Sequence, residues 1–375
     1  MFSSDVGTMS DPNSRVDSEV SSIISHCSLY GFVLETCLMG PIILCGLVTN
    51  TIACAVLWQE KRLTAPVFLL QAVLIADIAV LWMLFISETV PSLAYVVTIL
   101  QQCELVCHYI YCITRPLLFL AQACGILFTL WAIMNRYIVL CKPTMQAHYS
   151  DFGFAKKQAI ATIVFALLCA LPMTMDTVLR IPLVATELED TELLIDNKYY
   201  FSIYINGVVF AMFYFIPILA IVFYCFKLAR VIQSVRNLRR ILEPGYKMEN
   251  IDITQVMLAI GATLFICYLP KLALTITQLV DLGSYHTHCG DLQYYLHAFS
   301  NLFVSINASS KLLILYVFAR RFRQSLRGHF CASRKHKCKN RACIYKCGDI
   351  SEMTLISDVD RATPLKEDYI FQEDD

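Results

Sequence analysis

Charge is what this 375-residue chain has least of: Asp, Glu, Lys and Arg make up 16% of it, against about 25% in a soluble domain. Its 30 basic and 30 acidic residues cancel to a formal net charge of zero, which gives no pointer to nucleic acid. No nucleophile–base pair, phosphate-cradling Gly loop or metal-ligand spacing stands out, so neither an enzyme nor a cofactor is expected. The first residues, MFSSDVGTMSDPNSRVDSEVSS, lack the basic-then-apolar layout of a cleaved signal peptide and read as a flexible tail. Glycosylation acceptors are missing from that tail. The one Asn-x-Ser/Thr match, Asn307-Ala-Ser309, falls inside an apolar run. No internal repeat stands out, which counts against a transporter.

Apolar residues are abundant, at 57%, and there are 17 cysteines. Many cysteines lie within apolar runs (Cys45, Cys54, Cys124, Cys169, Cys225, Cys267), where Cys acts as a small hydrophobe rather than as part of a disulfide framework. Crossing a bilayer takes roughly 20 apolar residues. Seven runs qualify: about 32–58, 65–90, 109–140, 158–179, 201–226, 253–280 and 292–318. Helix is the expected state of each, because a lone span in lipid must satisfy its own backbone. The fold expected is therefore an all-α membrane protein, a seven-transmembrane helix bundle.

Basic residues in short loops orient such a bundle. The segments after spans 1, 3 and 5 carry Lys61 and Arg62, then Lys142, Lys156 and Lys157, then Lys227, Arg230, Arg236, Arg239, Arg240 and Lys247. Those after spans 2, 4 and 6 carry only Arg180 and Lys198 and are otherwise acidic. The N-terminus is thus expected outside and the C-terminus inside. After span 7, ARRFRQSLRGHF alternates Arg with Phe and Leu, as in an amphipathic helix on the inner leaflet; a basic stop-transfer flank is the alternative. Three regions follow: an extracellular tail at 1–30, the seven-span domain with its amphipathic helix at 31–330, and a disordered cytoplasmic tail at 331–375.

Asn50 in span 1, Asp77 in LIAD, Asn135-Arg136-Tyr137 with Pro143, Pro217 in FYFIPIL and Cys267-Tyr-Leu-Pro270 together resemble the pattern of rhodopsin-like (class A) G-protein-coupled receptors over residues 30 to 330. NKYYFSIYINGVVFAMFYFIPI and SNLFVSINASSKLLILYVFARRFR look most like invertebrate FMRFamide and myosuppressin receptors. The resemblance implies a plasma-membrane receptor for an extracellular neuropeptide, amidated and RFamide-like, that couples to heterotrimeric G-proteins through the inner ends of helices 3, 5 and 6. A chemosensory or orphan receptor for small molecules is the alternative.

In that family the arginine matching Arg136 is the lever of the switch, and an acid usually precedes it. Asn135 stands there instead, so an intrahelical ion pair cannot form; Glu249 or Asp252 at the foot of span 6 could restrain Arg136. A plain positive-inside anchor is the other reading of Arg136. Tyr268 stands where the family usually has Trp and is expected to be the hinge-side packing residue above Pro270, or ordinary core.

Two charges sit deep in spans, Asp77 and Lys311, and charges at that depth are functional candidates. The aspartate matching Asp77 helps bind sodium in the family. Here Gly125 replaces the helix-3 Ser and Lys311-Leu-Leu-Ile-Leu315 replaces Asn-Pro-x-x-Tyr. Lys311 is therefore expected to form a buried ion pair with Asp77; the alternative is that it snorkels to the inner surface.

The family's disulfide to the second outer loop cannot form, since residues 172–205 contain no Cys. Cys27 and Cys289 are the candidate pair that would tie the tail to the third outer loop. Cys331, Cys338, Cys343 and Cys347 beside a basic stretch read as palmitoylation sites, with zinc as the alternative. Ser351, Thr354, Ser357 and Thr363 among acids resemble arrestin-recruiting tails. For the ligand, the stretch from Tyr109 to Asn135 holds no acid, which argues against an aminergic receptor. Glu88, Arg115, Phe119, Gln122, Lys271, Gln278 and His297 are the candidate ligand-binding residues. Glu88 is the first choice to meet a ligand cation, with an internal pair to Arg115 as its other reading.

Overall fold

The computed structural model describes residues 29–59, 64–93, 104–186, 204, 207–242, 249–280, 292–320 and 322–326. The chain divides into two units, Met1–Leu326 and Arg327–Asp375, and the second lies outside the described residues.

Seven helices are long and apolar enough to cross a membrane. They are α1 (Leu29–Trp58), α2 (Ala65–Ser92), α3 (Glu104–Cys141, spanning from Cys112), α4 (Phe152–Thr186, spanning to Pro172), α5 (Gly207–Ser234, helical on to Leu242), α6 (Glu249–Val280) and α7 (Leu292–Phe318). No strand occurs among the described residues. The bundle is inside-out relative to a soluble domain. Leu168, Phe226 and Leu313 face outward while Asn50, Ser300, Ser305 and Lys311 are fully enclosed. Continuous outward apolar surface on this scale needs lipid as its solvent. This is a multi-pass membrane protein.

α3 is the axial element, packed on α2, α4, α5 and α6, while α7 packs on α6, α1 and α2. Several helices outrun the apolar runs that announced them. α4 starts at Phe152, not near 158, because the Asp151 carboxylate accepts the Phe154 N–H at 3.0 Å and caps the first turn. Its Lys156 and Lys157 are exposed on helix, not loop. α3 begins at Glu104 and α5 continues to Leu242, since polar residues with good helix propensity extend a helix past its lipid-facing part. Tight approaches use glycine. A Cβ on Gly46 would lie 2.1 Å from Ser309 Oγ and 2.8 Å from Ser309 Cβ, so α1 and α7 meet there at backbone distance.

α7 has the expected limits but is interrupted at Ser310, between Leu292–Ser309 and Lys311–Phe318. The Asn307 carbonyl accepts from Ser310 Oγ at 2.8 Å and from Lys311 Nζ at 3.1 Å. Side chains thus compete with the backbone ladder at this point. After extended Ala319, a short helix over 322–326 buries Phe322. Arg323 Nη1 donates to the Tyr316 and Val317 carbonyls at 2.8 and 2.6 Å, tying off the C-terminus of α7.

Overpacking at a close helix contact typically costs about 1–3 kcal/mol. Gly46→Ala is expected to lower the melting temperature of the detergent-purified protein, and Gly46→Ala with Ser309→Gly to restore part of it, since the second change also removes the Ser309 bond to Ile42. An unchanged melting temperature for the single variant contradicts this packing.

Candidate functional site

Polar side chains inside the bundle form three groups, one at mid-depth and one toward each end. The middle group joins α1, α2 and α7. Lys311 Nζ lies 3.8 Å from Asp77 Oδ2, a direct ion pair. The same ammonium donates to Asn307 Oδ1 at 3.0 Å. Lys311 is only 1% exposed, so its side chain turns into the bundle and does not snorkel. Asn50 Nδ2 donates to the Ala308 carbonyl at 2.8 Å and Ser309 Oγ to the Ile42 carbonyl at 3.1 Å, binding α1 to the interrupted helix. Asp77, Gln122, Gly125, Tyr268, Asn307 and Lys311 line a cavity with about 10 Å³ of room for solvent, no more than one water molecule needs.

Toward one end stands Arg136, near the C-terminus of α3. It is nearly buried, and its Nε finds no hydrogen-bond partner among the described residues. Asn135 does not engage it. Asn135 Nδ2 donates to Gln158 Oε1 at 2.8 Å, and Gln158 Nε2 donates back to Asn135 Oδ1 at 3.3 Å. This amide clasp ties α3 to α4. A parallel bond runs from Trp131 Nε1 to Thr162 Oγ1 at 3.0 Å. The Tyr137 ring packs against Tyr224 of α5 at 5.6 Å, and Pro143 opens a short 3-10 turn, Pro143–Met145. The side chains of Glu249 and Asp252 lie outside the described residues. A cavity of about 590 Å³ opens between α5, α6 and the end of α7, lined by Ile232, Gln233, Asn237, Gln255, Leu258 and Phe318.

The opposite end gathers charge. Glu88 lies in a π-helical turn of α2, Phe85–Thr89, with Lys271 of α6 and Arg115 of α3 as its electrostatic neighbours. His297 of α7 faces the same two cations. Four of the sequence-predicted ligand residues therefore share one neighbourhood. Phe119 and Gln122 lie deeper on α3. Phe119 meets Phe213 edge-on at 5.4 Å, and Gln122 Oε1 accepts from the Tyr214 hydroxyl at 2.9 Å. Tyr214 in turn packs against Tyr268 at 6.1 Å, and Tyr268 is buried two residues before the helix-internal Pro270. Gln278 lies two turns beyond Lys271 on α6.

The structure adds residues that the sequence reading passed over. Glu35 lies on α1 in a second π-helical stretch, Phe32–Met39. Its carboxylate accepts from Ser92 Oγ and has Glu88 as a charged neighbour. Tyr30, Tyr294 and Tyr295 cluster nearby: Tyr30 meets Tyr295 edge-on at 4.8 Å, and Tyr294 meets Tyr295 at 5.6 Å. A lone acid in an apolar span was the available signal. The disulfide candidates Cys27 and Cys289, and the lipidation candidates Cys331, Cys338, Cys343 and Cys347, lie outside the described residues.

No protein-family model matches the chain. It is similar to the FMRFamide receptor of Drosophila melanogaster, at 22% identity over 328 residues, which is 85% of this chain and 58% of that protein. The chain thus spans little more than half the length of this relative.

Removing one member of a buried ion pair costs about 3–5 kcal/mol, whereas removing both with matched apolar volume costs far less. Lys311→Ala is expected to destabilise the purified protein strongly, and Asp77→Asn with Lys311→Met only mildly. Thermal unfolding of the three proteins in one detergent checks the order; a double variant as unstable as Lys311→Ala contradicts it.

Proposed function

We propose that this chain is a rhodopsin-like G-protein-coupled receptor of the plasma membrane, activated by an extracellular peptide with an arginine beside an amidated aromatic residue. The observation that carries the proposal is Arg136, a nearly buried guanidinium without an acid partner among the described residues, at one end of a seven-helix bundle. A buried cation in such a place is retained for function when nothing structural holds it. The likeness to a receptor for FMRFamide supports the ligand class. The excess of Lys and Arg in the segments after spans 1, 3 and 5 supports an orientation with Arg136 inside and Glu88 outside.

In this reading, peptide enters the charged end formed by Glu88, Arg115, Lys271 and His297. A ligand moves a two-state equilibrium only by its differential affinity for the two states. The aromatic contacts from Phe119 through Tyr214 to Tyr268 link the ligand end to α6 near Pro270, where a proline frees a backbone carbonyl and permits bending. Outward movement of α6 widens the cavity between α5, α6 and α7 and exposes Arg136 to a heterotrimeric G-protein. The tail beyond residue 331 carries the sites proposed for palmitate anchoring in membrane lipid and for arrestin.

The test is nucleotide exchange. Protein reconstituted in nanodiscs is expected to accelerate GTP uptake by a heterotrimer when the amidated tetrapeptide Phe-Met-Arg-Phe is added. Failure with every heterotrimer and with a library of amidated peptides refutes the proposal. A second expectation concerns Asn135. With no acid beside Arg136, ligand-free signalling is high, and Asn135→Asp lowers it in a reporter cell; equal basal output from the two proteins at matched surface expression refutes this account of the restraint.

A further inference from the structure

Glu88 is the obvious partner for a ligand cation, yet it already has two cations, Lys271 and Arg115, for neighbours. Glu35 differs. Its charged neighbour is another acid, Glu88, and its hydrogen-bonding side chain is the neutral Ser92. No cationic side chain pairs with it among the described residues. A carboxylate at the rim of an apolar bundle, beside a like charge and without a counter-cation among the described residues, is set to take one from a ligand.

Its surroundings fit one. Tyr30 of α1 and Tyr294 and Tyr295 of α7 form a half-buried aromatic group. Gly31 marks where this group meets the acid: a Cβ added there would lie 3.3 Å from the Tyr294 hydroxyl and 3.8 Å from Glu35 Oε2. The backbone of α1 thus runs close against both groups. A carboxylate beside aromatic faces is the arrangement that holds a guanidinium or a primary ammonium, through ion pairing and cation–π attraction together.

The backbone is built to place the acid there. Glu35 and Glu88 each lie in a π-helical stretch, a conformation well under 1% of residues adopt and one frequent at functional sites. The two stretches are bolted together, with Thr89 Oγ1 donating to the Glu35 carbonyl at 3.1 Å and Thr36 Oγ1 to the Thr89 carbonyl at 3.4 Å. A π turn shifts the register of the residues that follow it, so the two acids are aimed independently of the regular faces of α1 and α2.

We infer that Glu35, with the rings of Tyr30, Tyr294 and Tyr295, is a cation subsite between α1 and α7 that takes the guanidinium or ammonium of the ligand. The Glu88–Arg115–Lys271 group, with its excess of positive charge, takes carbonyl or anionic groups of the same ligand. The division deepens the receptor reading and rests on it for the identity of the ligand. The subsite itself does not need signalling to be seen.

The experiment uses the full chain in nanodiscs, with arginine amide and its neutral isostere citrulline amide as probes and thermal unfolding as the readout. Arginine amide is expected to raise the melting temperature saturably and citrulline amide to leave it unchanged. Glu35→Gln is expected to weaken arginine amide by about tenfold or more, the loss typical of one charge-assisted bond. Equal effects of the two probes, no effect of arginine amide, or an affinity lost through Glu88→Gln but kept through Glu35→Gln would each overturn the assignment. Where Glu35→Gln does not fold, Tyr295→Leu and the difference between the probes on the unaltered protein decide. Nucleotide exchange is not read here, so the chain can fail as a receptor and keep the subsite, or signal to peptide and lack it.

Discussion

A charge placed in hydrocarbon must find a partner within the protein, and the pairing of Lys311 with Asp77 organises the centre of this bundle. Lys311 is enclosed to 1% exposure and still meets three oxygens, two from Asn307 and one from Asp77. The Asn307 carbonyl it occupies is also taken by Ser310, and the helix restarts at Lys311. The turn released at that point is caught by α1, through Asn50 on the Ala308 carbonyl and Ser309 on the Ile42 carbonyl. Gly46 then allows the backbones to close. A single lysine thus sets where α1, α2 and α7 meet.

Tyr268 connects this seam to the charged end. It lines the small cavity beside Lys311 and packs on Tyr214, whose hydroxyl is held by Gln122. Phe119 completes the layer against Phe213 and Tyr214. Above this aromatic floor lie Glu88, Arg115, Lys271 and His297. The floor is a continuous packed path between the two polar groups.

Much of the fold was legible in the sequence, because roughly 20 apolar residues in lipid leave the backbone little choice but helix. Asp77 and Lys311 were legible for the same reason, as charges too costly to be incidental. The helix ends were not, since Asp151 and the basic residues beyond span 5 read as loop by hydropathy while extending helices in fact. Neither was the Asn135–Gln158 clasp, whose partners lie 23 residues apart on different helices and share no periodicity. The π stretches leave no mark on composition. Glu35 was within reach of the reasoning that found Asp77, as an acid in an apolar run, but it lies near the end of span 1, where a charge is less costly.

The neutral clasp bears on how such a bundle would be held at rest. An acid beside Arg136 would restrain the guanidinium within α3 and release it when the helices rearrange. The amide pair does something else. It fixes α3 to α4, and Arg136 has no ionic contact at this position among the described residues. A neutral hydrogen bond contributes about 0.5–1.5 kcal/mol, and one to a charged group about twice that. In the proposed receptor, a weaker restraint would leave less differential binding energy to be supplied for shifting the two-state equilibrium. In that reading, discrimination between resting and active forms would fall to the opposite end of the bundle. That is where charged residues are gathered and where Glu35 and Glu88 each lie in a π-helical stretch. In the proposed receptor the departure at Asn135 and the charged outer end are parts of one arrangement.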